Sequence, residues 1–107
     1  MPQLQEELST RALTKTSPRT DLAPPGLYRV IYINDDVTTV DFVIESLVSI
    51  FDHSYNSAVI LTEQVHIEGS AIVAVLPYEM AEQKGVEVTQ LARNNGFPLV
   101  IKLELDE

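Results

Sequence analysis

The sequence contains no cysteine and few basic residues, seven lysines and arginines against sixteen aspartates and glutamates. Without cysteine there can be no disulfide framework and no thiol nucleophile, and the composition fits a reducing compartment. No apolar run reaches the length that a membrane span requires. The opening stretch Met1 to Glu7 is polar and acidic, so no export signal is expected. A glycine-rich phosphate loop and a Gly-x-Ser-x-Gly elbow are both missing, which sets aside nucleotide cradling and serine hydrolysis. Internal repeats and low-complexity tracts are also lacking. The shortage of bases is concentrated: beyond Gly26 the chain carries 13 acids against 4 bases, and with them the whole formal charge of −9. Such a body repels phosphate backbones, so no nucleic-acid partner is expected. A cationic ligand or a basic patch on another protein is favoured instead.

What is present suits one domain of a 107-residue chain. Residues 1–24, with the polar, proline-punctuated run Thr14 to Thr20, are expected to form a flexible arm, and residues 25–107 the folded domain. Leu27 to Ile33 is β-branched and aromatic with apolar residues on both sides, which predicts a strand covered on both faces. Val40, Val43, Ile44, Leu47, Val48 and Phe51 recur at helical spacing, with Thr38 and Asp41 as the expected capping pair. After the connector Asp52 to Tyr55, Asn56 is expected to cap a second helix carrying Val59, Ile60, Leu61 and Val65, with Gly69 as its left-handed stop. Ser70 to Leu76 predicts a second strand. Pro77 suits the first turn of a third helix bearing Met80, Ala81, Lys84, Val88, Leu91 and Ala92, whose regularity Gly85 should weaken, and Asn95-Gly96 should end it. Leu99 to Leu105 alternates as a half-buried last strand. The predicted class is α+β: β-α-α-β-α-β, with three helices packed on a small three-stranded antiparallel sheet.

Asn34-Asp35-Asp36 occupies the corner where the first strand turns into the first helix, where free backbone groups let polar side chains either cap the helix or face a ligand. Asp35 and Asp36 with a histidine would be a thin metal or acid–base set, since no Asp-x-Asp or His-x-x-x-His accompanies them. Glu63 and His66 read as a solvated helical couple and His53 as an exposed connector residue. His66 follows Thr62 by one helical turn, so an imidazole and a small pocket lining can share one edge of the second helix. If the helical hairpin brings His66 to the acceptor-rich corner, the chemistry suits a primary ammonium attached to an apolar side chain.

The run Tyr28 to Thr38, with Asn34-Asp35-Asp36 inside it, then Asp41-Phe42-Val43, Val65-His66 followed by Gly69, and Ala81-Glu82-Gln83-Lys84, closely resembles the ClpS adaptors over Pro24 to Glu104. The resemblance implies a fold similar also to the ribosomal stalk C-terminal domain. It implies a non-enzymatic protease adaptor, working without cofactor or metal, that binds the destabilising N-terminal residue of a substrate and delivers it to a ClpA- or ClpC-type AAA+ unfoldase. The contacts to the substrate ammonium would fall on Asn34, Asp35 and His66, with Asp36 at the mouth. The side-chain pocket would fall on Thr38, Val40, Val43, Thr62, Val65 and Leu99, and the surface docking on the unfoldase's N-terminal domain would include Glu79 and Lys84. Leu, Phe, Tyr and Trp are the implied first residues. A monomer in the bacterial cytoplasm or plastid stroma, without membrane attachment, is expected.

This chain departs from the family pattern at three positions. Thr39 stands where proline is usual, and Val40 and Thr62 stand where methionine is common. Short, β-branched side chains reshape less than methionine, and the Thr62 hydroxyl needs a partner, so the pocket should accept a changed set of first residues. Two other readings stay open on the residues alone: a small metal-dependent hydrolase using Asp35, Asp36 and His66, and an acidic scaffold domain of the ribosomal-stalk kind.

Overall fold

The computed structural model describes residues 26–107. The arm expected over residues 1–24, and the expected start of the domain at 25, lie outside them. Six elements follow in order: β1 (Leu27–Ile33), α1 (Val40–Ser49), α2 (Tyr55–Glu68), β2 (Ser70–Pro77), α3 (Tyr78–Asn94) and β3 (Val100–Leu105). The sheet is antiparallel in the order β2-β1-β3. The first strand is therefore central, but the helices cover only one of its faces: on the other, expected to be covered as well, Leu27 is exposed, Arg29 and Ile33 are half-buried and Ile31 alone is buried. Tyr28, Val30 and Tyr32 point into the helical layer and are buried. They meet Val43, Leu47 and Ile50 from α1, Ala58 and Val65 from α2, Ala81, Val88 and Ala92 from α3, and Leu99.

Burial drives this arrangement, and a few polar contacts fix its register. Covering each large apolar side chain contributes roughly 1.5–3 kcal/mol. Beneath α1, the Tyr32 hydroxyl donates to Ser46 Oγ at 2.7 Å, and Ser46 Oγ donates to the Val43 carbonyl at 2.8 Å. Burial pushes the Tyr32 phenol well above its ordinary pKa, so this pair stays neutral and keeps its donors. At the β1–β2 pairing the register slips between Val30 and Ile31, because Val30 faces Ala74 while Ile31 faces Ile72. The slip leaves Val73 out of the paired register, with its carbonyl free for another donor.

Local chemistry moves several expected boundaries. The cap of α1 is Thr39, not Thr38: Thr39 Oγ1 accepts from Phe42 N at 3.2 Å. The Thr38 side chain is instead turned back into the corner, where its hydroxyl donates to Asp35 Oδ2 at 2.7 Å. The cap of α2 is Ser54, not Asn56, with Ser54 Oγ accepting from Ser57 N at 3.1 Å. Asp52 takes a left-handed φ of 60°, which reverses the chain at once and lets α2 begin at Tyr55, inside the stretch expected to be connector. Gly69 ends α2 as expected, at φ 91°. Pro77 closes β2 and sits at the N-cap of α3 instead of within its first turn.

Gly85 does not disturb α3, which runs unbroken for 17 residues. Glycine costs about 1 kcal/mol in a helix interior, but this one is buried against β3, where a Cβ would stand 3.6 Å from Ile101 Cγ2. That distance is ordinary van der Waals contact, so the packing leaves room for a Cβ, and the helix stays regular because its neighbours on both sides are held by burial. Met80 and Leu91, expected on the apolar face of α3, are instead exposed, as is Val40 on α1.

Candidate functional site

The polar corner after β1 is shaped by one carboxylate. Asp35 Oδ1 accepts from Val37 N at 2.8 Å and from Thr38 N at 2.7 Å, while Oδ2 takes the Thr38 hydroxyl. This closes a tight turn of the kind that aspartate favours, and it delivers Thr39 to the start of α1. Partial burial alone would disfavour the charged form of Asp35. The hydrogen bonds from Thr38 and Val37, with the positive charge of Arg93, outweigh that penalty and hold its carboxyl below the usual range. The group is therefore ionised at neutral pH, half-buried, and flanked by exposed Asn34 and Asp36.

This corner is tied to the far end of the helical hairpin. Asn34 N donates to the Gly69 carbonyl at 2.9 Å, directly beyond the Ile33–Ser70 pair of the β1–β2 register. Gly69 N in turn donates to the Val65 carbonyl at 3.0 Å. The last turn of α2, which carries His66, is thereby held against the exit of β1. His66 is exposed. An ionised carboxylate, an amide and an imidazole at one end of a domain form a rim able to accept hydrogen bonds from a cation.

Beneath that rim lies the apolar set. Val43, Val65 and Leu99 are buried in one packed cluster, and Thr62 is buried beside Val65 on α2. Thr62 Oγ1 finds no hydrogen-bond partner among the described residues. Thr38 is half-buried. Val40 differs from these: it is 56% exposed in the first turn of α1, so it stands at the edge of the set and not in its floor. Leu99 arrives from the segment between α3 and β3, where Phe97 packs edge-on against Phe42 of α1 with ring centroids 5.2 Å apart. Open grooves of about 290, 260 and 370 Å³ run over other faces, respectively along α1 beside Tyr55, between α3 and β3, and over Ile31, Ile33 and Ile72 on the sheet.

The remaining sequence candidates resolve differently. Glu79 is exposed in the first turn of α3. Lys84 does not pair with it: Lys84 Nζ donates to the Ile50 carbonyl at 2.8 Å and lies 6.0 Å from the centroid of the Phe51 ring. It satisfies a carbonyl at the C-terminus of α1, where a cation is favoured. His53, expected to be exposed, is half-buried and engaged at both nitrogens. Its Nε2 donates to the unpaired Val73 carbonyl at 2.6 Å, and Nδ1 lies 3.2 Å from Ser57 Oγ. Among the described residues, no three His, Asp or Glu side chains gather closely enough to hold a metal ion, so the hydrolase reading lacks a ligand set there. Sequence reasoning misses Arg93, whose charge reaches Asp35 from the end of α3. No local spacing links the two; the only signal is a cation in the last turn of a helix.

Known proteins resemble this chain in sequence and in fold. The family model for the ATP-dependent Clp protease adaptor protein ClpS matches residues 23–102. An ATP-dependent Clp protease adapter protein ClpS of Nautilia profundicola is 44% identical over 93 residues, covering 85% of this chain and 96% of its own. The Shewanella denitrificans ClpS is 42% identical over 91 residues, covering 85% and 89%. Among solved structures, Agrobacterium tumefaciens ClpS2 bound to L-phenylalaninamide superposes with a TM-score of 0.74 at 36% identity, covering 78% of this chain and all of that one. Sequence and fold agree over the same span, and the chain belongs to the ClpS family of ATP-dependent Clp protease adaptor proteins.

Proposed function

We propose that this adaptor captures the first residue of a substrate polypeptide and hands it to the N-terminal domain of a ClpA- or ClpC-type unfoldase. The α-ammonium is received by Asn34, Asp35 and His66, with Asp36 at the mouth. The first side chain enters between Thr38, Val40, Val43, Thr62, Val65 and Leu99. The observation that carries this reading is the Asn34–Gly69 hydrogen bond of 2.9 Å, which draws the strand exit and the His66 turn to one end of the domain. L-Phenylalaninamide, bound by the Agrobacterium relative, has the right chemistry: a free α-amine, a capped carboxyl and one bulky apolar side chain.

The energetics fit reversible capture. Hydrogen bonds to the charged ammonium contribute roughly 1.5–3 kcal/mol each, and burial of a Leu or Phe side chain adds ~1.5–3 kcal/mol. After the cost of immobilising the peptide, the net is on the order of micromolar affinity. An acetylated or internal residue lacks the ammonium and forfeits the charged hydrogen bonds to the rim, so the chain end is selected. The work of these residues is binding; none of them is assigned a bond-breaking step. Glu79 contributes to the unfoldase-facing surface, with Lys84 supporting it through α1. A monomer acting in the bacterial cytoplasm fits this role, and none of the described helices is long and apolar enough to cross a membrane.

The test is titration of peptides that differ only at the first residue, with an N-acetylated control. Micromolar binding of Leu-, Phe-, Tyr- or Trp-initiated peptides, lost on acetylation, is expected. Equal binding of the acetylated peptide refutes the reading.

A further inference from the structure

Arg93 does more than place a positive charge near Asp35. Its geometry says more. The side chain turns beyond the end of α3, and a single nitrogen, Nη1, donates to the Phe97 carbonyl at 3.0 Å and the Leu99 carbonyl at 2.8 Å. Both acceptors lie in the short link between α3 and β3. Gly96 N and Phe97 N tie the start of that link to the Arg93 and Ala92 carbonyls, but beyond them Pro98 has no N–H to donate. The Leu99 side chain, at the end of the link, is 1% exposed and packed in the cluster with Val43 and Val65.

A guanidinium suits this task. Its hydrogens diverge in a fixed plane, so one terminal nitrogen can meet two carbonyls, and it stays protonated across the physiological range. Two attachments therefore fix the link from opposite sides: Arg93 on its carbonyls, and the Phe42–Phe97 ring contact on α1. Any cation near a helix C-terminus would be favoured by the helix dipole. The guanidinium adds a fixed plane to that charge, so its two contacts hold the carbonyls in a set geometry that a freely rotating ammonium does not impose.

We propose that Arg93 is a positioning residue which, by clasping the Phe97 and Leu99 carbonyls, fixes Leu99 as a wall of the side-chain hollow and so sets how strongly the first side chain is discriminated. The inference rests on the capture reading above and assigns it a specificity device outside the contact residues. A dipole role would change stability alone. A positioning role changes the ratio of affinities for large and small first residues.

The test uses the full chain and its Arg93→Gln and Arg93→Lys variants, titrated with free peptides beginning with Leu or Ala and with the acetylated Leu peptide. The Leu-to-Ala affinity ratio is expected to fall about tenfold in Arg93→Gln, the equivalent of losing part of one buried side-chain contact. In Arg93→Lys the fall should be smaller but in the same direction, since an ammonium lacks the planar fork. An unchanged ratio in both variants overturns the proposal, even if their melting temperatures drop. If Arg93→Gln loses its cooperative melt, the ratio in Arg93→Lys decides by the same criterion. If the wild-type chain binds the acetylated peptide as well as the free one, the capture reading falls and this inference falls with it. A wild-type chain that discriminates while the variants keep its ratio overturns Arg93's role alone.

Discussion

The two ends of this domain use polar groups in opposite ways. Around the connection from α1 to α2, His53 is bound at both ring nitrogens and Lys84 Nζ is bound to Ile50 O, so these polar side chains are directed inward. At the other end Asp35 is held just as firmly by Val37 and Thr38, yet Asn34, Asp36 and His66 around it remain exposed. Both ends are ordered by hydrogen bonds. The difference is that one end satisfies its donors and acceptors internally, while the other builds a rigid frame that leaves some facing outward. A fixed, outward-facing acceptor set costs little reorganisation when a cation arrives, which is the useful property of a binding rim.

The largest expected effect comes from removing the frame at the outward-facing end. In Asp35→Ala, the backbone N–H groups of Val37 and Thr38 and the Thr38 hydroxyl lose their acceptor, and the rim loses its charge. Charged hydrogen bonds contribute roughly 1.5–3 kcal/mol each, so binding of a Leu-initiated peptide should weaken by about two orders of magnitude or more. Isothermal titration measures this; a loss under fivefold would show that the frame is dispensable. Lys84→Met breaks the inward-facing end instead. Losing the charged donor to Ile50 O should lower stability by about 1.5–3 kcal/mol in chemical denaturation and leave peptide affinity within about twofold. If Lys84→Met weakened peptide binding as much as Asp35→Ala, the separation of the two ends would collapse.

Acid sharpens the same contrast. Because the folded-state pKa of Asp35 is depressed below its ordinary 3.8, its contribution to stability is fully present above that value and disappears as pH falls through the lower folded value. Denaturant midpoints measured from pH 6 downward should fall in acid for the wild-type chain. For Asp35→Asn, already less stable at neutral pH, they should fall by a smaller amount. Identical slopes for the two chains would mean that these hydrogen bonds do not stabilise the charged form.

Much of this was legible in the sequence. The order of elements followed from hydrophobic period, and the corner at Asn34-Asp35-Asp36 from the abrupt change between an apolar run and a helical pattern. What escaped was settled by competition between neighbours. Thr38 and Thr39 have equal local claims to cap α1, and only the bond from Thr38 to Asp35 decides between them. His53 looked exposed because its partner, the Val73 carbonyl, is freed by a register slip that no local pattern announces. The bonds of Lys84 and Arg93 escaped because their acceptors are backbone carbonyls, which every residue possesses and which sequence therefore cannot single out. Thr39 is instructive in a different way. Where the family resemblance implies proline, it supplies a side-chain cap, so the start of α1 is defined by a hydrogen bond and not by a ring.

Thr62 yields the smallest predicted effect and tests the boundary between the two styles of construction. It lies under the outward-facing rim, yet its hydroxyl is buried and finds no partner among the described residues, unlike the polar side chains at the inward-facing end. Burial of a hydroxyl without a hydrogen bond is unfavourable, and valine has nearly the same shape without the polar atom. Thr62→Val should therefore raise stability by about 1 kcal/mol, which for a domain of this size raises the melting temperature by about 4–8 °C. On the proposed capture reading the same change makes the side-chain site more apolar, so affinity for Leu- and Phe-initiated peptides should rise a few-fold while the acetylated control stays unbound. Differential scanning calorimetry and peptide titration on one preparation read both effects. A Thr62→Val chain that melts lower than wild type would show that the hydroxyl has a partner after all and belongs with the inward-facing construction.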